Sequence, residues 1–296
     1  MSGGIRTVNA DITTRAASPG DAGFLRELWK SAFGDSDGDV SAFLECFGGS
    51  AVPVIAELSG REGAAGYVIP AGELVYTDAT RAPCAMLYAI ASRQELRGRG
   101  LGAAVTRALT RRARELGYPA VVLHPADDGL FDFYSANAGF REWFSARELV
   151  FRADGQPRRP CADVRAVTSA EYREIRARIL RGRAHIHIGE RAAEYQRLLC
   201  EQSGGGLFAI RSGGAESCAA AEGAPGGAAV KELLTSAGGA EPCAAALASA
   251  MSVGELTARV PAWTGDGARR FGMMYADGAP PGGRWTSGGW FGPAFD

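Results

Sequence analysis

The sequence has almost no net charge, because 32 basic side chains are set against 33 acidic ones. No global field therefore draws the chain to DNA, RNA or an anionic membrane surface. It also has no Cys-x-x-Cys pair. Its six cysteines, Cys46, Cys84, Cys161, Cys200, Cys218 and Cys243, are scattered, which suits buried free thiols in a reducing compartment better than disulfides or a zinc cage. No apolar run approaches the roughly 18 residues of a membrane span, and the opening "MSGGIRTVNADITTRAASPGD" has no signal-peptide core. These absences lead us to expect a cytoplasmic protein without nucleic-acid or membrane partners. Histidine is scarce too. His185 and His187 in "HIHIG" alternate as strand residues do and have no third ligand in view, so no metal is expected.

What is present is an ordinary globular composition, 46% hydrophobic and 22% charged, over 296 residues, which is room for two domains or one large one. In "RAASPGDAGFLRELWKSAF", Ser18 can cap a helix, with Pro19 in its first turn and Asp21 closing a capping box. Leu25, Leu28, Trp29, Ala32 and Phe33 then recur on one helical face. A short strand near residues 12–15 precedes this helix, and a second helix, "VSAFLECF", follows it. Three strand-like runs come next: "AVPVIAEL", "GAAGYVIP" and "CAMLYAIA". The last is apolar nearly throughout, as a central strand buried on both faces should be. A following helix carries an apolar stripe of Leu101, Val105, Ala108, Leu109 and Leu116. "AVVLHP" reads as a short buried strand, "DGLFDFYSANA" as a helix and "GFREWFSARELVF" as a strand. The order βααβββαβαβ over residues 10–152 predicts an α/β domain of the α+β mixed-sheet kind.

Residues 153–161, "ADGQPRRPC", read as a linker, and beyond them the order partly repeats. "DVRAVTSAEYREIRARIL" and "RAAEYQRLL" supply a strand and two helices. "GLFAIRS", "SCAAAEG" and "GAAVKELL" read as strands, "EPCAAALASAM" as a helix, and "VGELTARVP" and "ARRFGMMYA" as closing strands. The tail "GGRWTSGGWFGPAFD" is too aromatic for a loose end and is expected to dock.

The chemistry-bearing motif is the knot Arg97-Gly98-Arg99-Gly100-Leu101-Gly102 at the head of the striped helix. A turn feeding a helix N-terminus aims several unpaired N–H groups at one spot, where the helix dipole favours an anion. Glycines let phosphates approach the backbone, and the arginines add charged donors. Three readings fit: a glycine-rich turn with solvated arginines, a dinucleotide fingerprint, or the pyrophosphate grip of an acyl-CoA. The dinucleotide fold carries its fingerprint on the first strand and wants an acid ending the next one. Here some ninety residues come first, and the next strand ends in His124-Pro125.

With "TTRAASPGDAGFLRELWKSAFGD", "LYAIASRQELRGRGLGAAV" and "LFDFYSANAGF" in this order, residues 10–152 resemble the GNAT superfamily of acyl-CoA-dependent N-acetyltransferases. The resemblance implies the acyl-CoA N-acyltransferase (GNAT) fold, with acetyl-CoA as cosubstrate and an amine of a small molecule or peptide as acceptor. It implies that the amides of Gly98, Arg99, Gly100, Leu101, Gly102 and Ala103, with Arg97, hold the pyrophosphate, and that the backbone of Ile90, Ala91 and Ser92 pairs with the pantetheine arm. It also implies a tyrosine that protonates the departing thiolate. The stretch Phe133-Tyr134-Ser-Ala-Asn-Ala-Gly139-Phe140 has one residue too many for the family pattern. Counting forward gives Tyr134, counting back gives Ser135, and a bulge or lengthened turn at residues 136–138 would keep Tyr134 in place. Asn137 in the same turn is a candidate coenzyme contact. His124, at the strand end, is either the imidazole that takes the amine's proton or a structural histidine.

Residues 162–296 resemble a second, degenerate GNAT-like module, since "TSAGGAEPCAAAL" stands where the knot should be. The plan of a catalytic module at 1–152, a linker and this second module is similar to tandem acetyltransferases of the enhanced-intracellular-survival type, without room for that type's third domain. In that type a C-terminal carboxylate reaches the active site, which makes Asp296 a candidate by position. The other function class left open is a non-catalytic acyl-CoA sensor or scaffold.

Overall fold

The computed structural model describes residues 11–152, 162–212, 214–236, 239–276 and 289–296. The expected linker, residues 153–161, lies outside them, as does the part of the tail before Gly289. The first half runs β1 (Ile12–Ala16), α1 (Ala22–Phe33), α2 (Asp37–Phe47), β2 (Val52–Leu58), β3 (Arg61–Val75), β4 (Arg81–Ser92), α3 (Leu101–Glu115), β5 (Ala120–Leu123), α4 (Asp128–Ala138) and β6 (Arg141–Arg152), which is the expected order. The second half runs β7 (Asp163–Ala166), α5 (Ser169–Ile179), β8 (His185–Ile188), α6 (Glu190–Gln202), β9 (Gly206–Ser212), β10 (Ala215–Ala224), β11 (Gly227–Thr235), α7 (Ala240–Ala250), β12 (Glu255–Pro261) and β13 (Arg269–Ala276). The strand-like alternation of His185 and His187 is realised as β8. Its four residues gain their ladder by crossing to β3, where Leu74 faces Ile186.

One mixed sheet holds all the described strands, in the order β1-β2-β3-β4-β5-β13-β6-β12-β11-β10-β9-β7, with β8 on β3. Read inward from either end, the halves match. Each half's last strand lies beside the other half's inner strand, β13 on β5 and β6 on β12, and the two exchanged strands pair with one another. In each half one parallel pair is crossed by a helix: β4 with β5 around α3, and β11 with β12 around α7.

Two helices, α3 and α4, close one face of the first half through Leu101, Val105, Leu109 and Phe131 over Val68 and Leu87. In the second half α7 packs Leu247 over Leu233 and Leu256. On the other face α2, α5 and α6 share one core, in which Phe43, Phe47, Ile69, Tyr172, Ile175 and Tyr195 are all buried. Burying an aromatic or large aliphatic side chain contributes about 1.5–3 kcal/mol, so a core drawn from both halves binds them together. Leu116 leaves the expected stripe and is 40% exposed. It sits past the last helical residue, beside Gly117 in the left-handed region at φ 88°.

The described end of the tail docks on that shared core. Trp290 and Phe291 are buried, and the backbone of Trp290 exchanges hydrogen bonds with Ala184 and Ile186. Its indole N–H donates to Glu232 Oε1 at 2.5 Å. Glu232, which is fully buried, also accepts from Arg176 Nε at 3.0 Å and from the Tyr172 hydroxyl. Arg176 donates in turn to the carbonyls of Ile186 and Phe291. Gly292, at φ 91°, passes so close to this pair that a Cβ there would collide with Arg176.

Removing one partner of a buried ion pair leaves the other charge uncompensated, at a cost of about 3–5 kcal/mol. Glu232→Gln is therefore expected to lower folding stability by that order in denaturant unfolding of the full chain. A loss below about 1 kcal/mol would contradict this account of the tail anchor.

Candidate active site

The knot takes its shape from glycine. Gly98 and Gly100 have φ of 74° and 88°, which other residues adopt with strain, and Gly100 caps α3. Ala104 N–H is the first amide to bond back into the helix, to Gly100 O at 3.0 Å. The amides ahead of it have no intrahelical acceptor and face out from the helix end. Arg97 and Arg99 are exposed and make no ion pair among the described residues. Gly102 lies under Phe133 and Ser92, and a Cβ would stand 3.4 Å from the Phe133 ring.

Beside it, β4 and β5 part. They pair in parallel only at Cys84–Met86 with Ala120–Val122, so from Leu87 onward the edge of β4 that faced β5 has no strand partner. Ala89 takes a positive φ of 49° and the β3–β4 register shifts there, which puts a bulge ahead of Ile90, Ala91 and Ser92. Ala91 and Ser92 still pair with β3 on their other side. An extended ligand with amide groups can therefore continue the sheet along this open edge.

A cleft of about 350 Å³ begins at the splay and is lined by His124, Tyr134 and Asp296 together. The three candidates come from the end of β5, from α4 and from the docked tail, and the fold brings them to one wall. His124 Nδ1 is 2.6 Å from the Phe271 carbonyl. A carbonyl only accepts, so Nδ1 carries the hydrogen and the Nε2 lone pair is free toward the cleft. Asp296 Oδ2 stands 3.6 Å from that Nε2. Burial holds the His124 pKa below its ordinary 6.5, against the opposing pull of Asp296. For Asp296 burial pushes upward, but Arg259, His124 and Lys231 outweigh it and bring its pKa down to about 2. Arg259 makes two hydrogen bonds to the Asp296 carboxylate, at 3.0 and 2.5 Å.

Tyr134 is buried on α4, and Ser135, turned about 100° around the helix, is exposed. No bulge is needed for this. The extra residue is accommodated as one more helical residue, and Gly139 at φ 71° ends the helix. Burial, with Asp127 nearby, raises the Tyr134 pKa to about 12, so its hydroxyl stays protonated at neutral pH. Asn137 donates its side-chain amide to Phe133 O at 2.9 Å, while Arg107 of α3 reaches the Asn137 carbonyl, which ties α4 to α3.

Residues 23–140 match the model of the acetyltransferase (GNAT) family. This part of the chain is a GNAT acetyltransferase domain. Solved structures extend the likeness in fold over nearly the whole chain. A GCN5-related N-acetyltransferase from Anabaena variabilis is 15% identical, with a TM-score of 0.67 over 90% of this chain and 73% of that one. Eis1 from Mycobacterium abscessus is 11% identical, with a TM-score of 0.59 over 90% and 73%. A tandem GNAT protein from the clavulanic acid biosynthesis pathway is 13% identical, with a TM-score of 0.54 over 91% and 100%. No curated protein matches the chain. The fold is thus that of two GNAT-like modules. In the second, just after the parallel pairing of β11 with β12, Glu232 meets Arg176 and Trp290.

Sequence reasoning missed Arg259, Lys231 and Phe271, which surround the GNAT domain's histidine from the second half. Nothing in their spacing marks them, because β12, β11 and β13 reach the site only through strand exchange. No described helix is long and apolar enough to cross a membrane. Asp296→Asn removes the carboxylate that raises the histidine's affinity for protons. The His124 pKa, followed by NMR titration of the folded protein, should fall further below 6.5. A rise, or no change, would contradict the pairing.

Proposed function

We propose that the chain transfers an acetyl group from acetyl-CoA to the amine of a small molecule or peptide, by direct attack within the cleft between β4 and β5. The observation that carries this reading is the lining of one cleft by His124, Tyr134 and Asp296 beside an open strand edge and a phosphate-ready helix end. The amides of Gly98 to Ala103, with Arg97 and Arg99, take the pyrophosphate. The free edge of β4 at Ile90–Ser92 takes the pantetheine, which sets the thioester at the bulge.

An amine attacks only through its lone pair, so its proton must leave. His124 Nε2 accepts it, and Asp296 stabilises the resulting imidazolium. As the new C–N bond forms, the carbonyl electrons move to oxygen. When they return, the C–S bond breaks, and the neutral Tyr134 hydroxyl offers its hydrogen to the departing sulfur. No enzyme nucleophile is required. The five described cysteines are buried, and burial raises the Cys84 and Cys200 thiols well above the ordinary range.

Acetyl-CoA with an amine panel, read by thiol release, tests the reading. His124→Ala is expected to slow turnover by about 10²-fold or more, the scale of a lost general base, with acetyl-CoA affinity kept. Tyr134→Phe should lower kcat without raising the KM for acetyl-CoA, and the double variant Arg97→Glu/Arg99→Glu should raise that KM. Because the base works deprotonated, kcat/KM in the wild type should rise with pH through a midpoint below 6.5 and then cease to depend on His124. Acetyl-CoA binding without release for any amine would leave a coenzyme-binding protein and overturn the enzyme.

A further inference from the structure

The register of β10 with β11 skips one residue. Ala221 faces Val230 and Ala220 faces Glu232, so Lys231 is the extra residue of a β-bulge. In a regular strand successive side chains point to opposite faces. Here Lys231 and Glu232 both reach the docked tail, Glu232 at the Trp290 indole and Lys231 at the Asp296 main-chain oxygen. The bulge thus aims a cation of the second half at Asp296, whose carboxylate Arg259 already holds.

Two cations around one side-chain carboxylate would leave a net positive charge beside His124, whose Nε2 is 3.6 Å from Asp296. Burial opposes the imidazolium form of His124, and the charges of Arg259 and Lys231 add to that opposition. Glu222 of β10 answers the second cation. Its Oε2 is 3.3 Å from Lys231 Nζ, and Lys231 is its one cation among the described residues. Gln196, fully buried on α6, donates its amide to Glu222 Oε1 at 3.1 Å and leaves its own Oε1 without a donor. An amide turned this way suits a carboxylate, which only accepts. Asp35 and Asp39 line the same cavity of about 490 Å³ as Glu222 and Asp296. Burial raises the Glu222 pKa and Asp296 adds to the rise, while Lys231 and Gln196 draw it down.

We infer that Glu222 is a positioning residue for the transfer: by holding Lys231 it leaves the Asp296 charge to His124, and so sets how strongly His124 takes the amine's proton. This rests on the acetyltransferase reading above, but the charge chain is measurable without turnover. Through it, β10 and β11 of the second half tune the base of the first. Two anions, Glu222 and Asp296, then balance two cations, Lys231 and Arg259, and the imidazolium forms beside a neutral set.

The test follows the His124 proton equilibrium in the full chain by NMR, its signal assigned by loss in His124→Gln. Glu222→Gln keeps the shape and removes the charge, so Lys231 bears unopposed on Asp296 and His124. Proton affinity at His124 should fall about threefold, the scale of one screened charge nearby. Lys231→Met should raise it by about the same factor. In the Lys231→Met background Glu222→Gln should have no further effect, because the mediator is gone. Glu222→Asp, which keeps the charge, should stay closer to the wild type than Glu222→Gln. With acetyl-CoA and an amine that is turned over, the pH midpoint of kcat/KM should move down in Glu222→Gln while the KM for acetyl-CoA holds. A merely structural Glu222 would lower the melting temperature and leave His124 where it is. An unchanged His124 in Glu222→Gln, or an equal fall with and without Lys231, would overturn the inference and leave the acetyltransferase standing. Should no amine release thiol, the NMR titrations decide the inference alone.

Discussion

The buried pair Arg176–Glu232 is the constraint from which the rest of the arrangement follows. Two charges taken out of water are tolerable only when every remaining hydrogen-bonding position is met. Here Tyr172, Trp290 and two backbone carbonyls complete the set. Because Trp290 is one of those partners, satisfying the pair fixes the tail against the second half. Gly292 then lets the backbone pass over the pair, and Asp296 is delivered to Arg259 and His124 four residues later.

The same pair accounts for the asymmetry between the modules. Both halves have a parallel strand pair that separates and could admit a ligand. In the first, the separation is lined by Tyr88, Ile90 and Leu123 and remains open. In the second, Glu232, just past the pairing of β11 with β12, holds Arg176 and the tail and serves as an anchor. The tail also meets the first half. Tyr88 donates its hydroxyl hydrogen to Phe295 O at 3.1 Å, and Tyr195 of the second half stands at the same distance from that hydroxyl. The halves are joined by covalent continuity, by exchanged strands, by a shared aromatic core and by this tail.

The proposed reaction depends on holding one nitrogen lone pair in place. Phe271 O fixes the tautomer of His124, and Phe271 also stacks on its ring, so a single residue of an exchanged strand sets both proton position and orientation. Asp296 contributes charge without competing for Nδ1. Arg259 keeps that carboxylate ionised in a buried setting that would otherwise favour its protonated form.

Local pattern alone determined a good deal. The order of elements through β6, the striped helix α3 and the glycine turn at its head follow from short-range regularities: period, capping and the need for glycine at positive φ, whereas His124 and Tyr134 were candidates through the family resemblance. Tyr134 and Ser135 remained alternatives in the sequence because counting residues does not tell which side of a helix faces a cleft, and burial on α4 separated them. The exchange of β6 and β13, the crossing of β8 to β3 and the gathering of Arg259, Lys231 and Phe271 around His124 belong to tertiary structure alone. These are pairings between segments far apart in the chain, and strand edges carry no label for their partner. Such contacts are chosen by the total burial and hydrogen bonding of the finished sheet, which no local window contains.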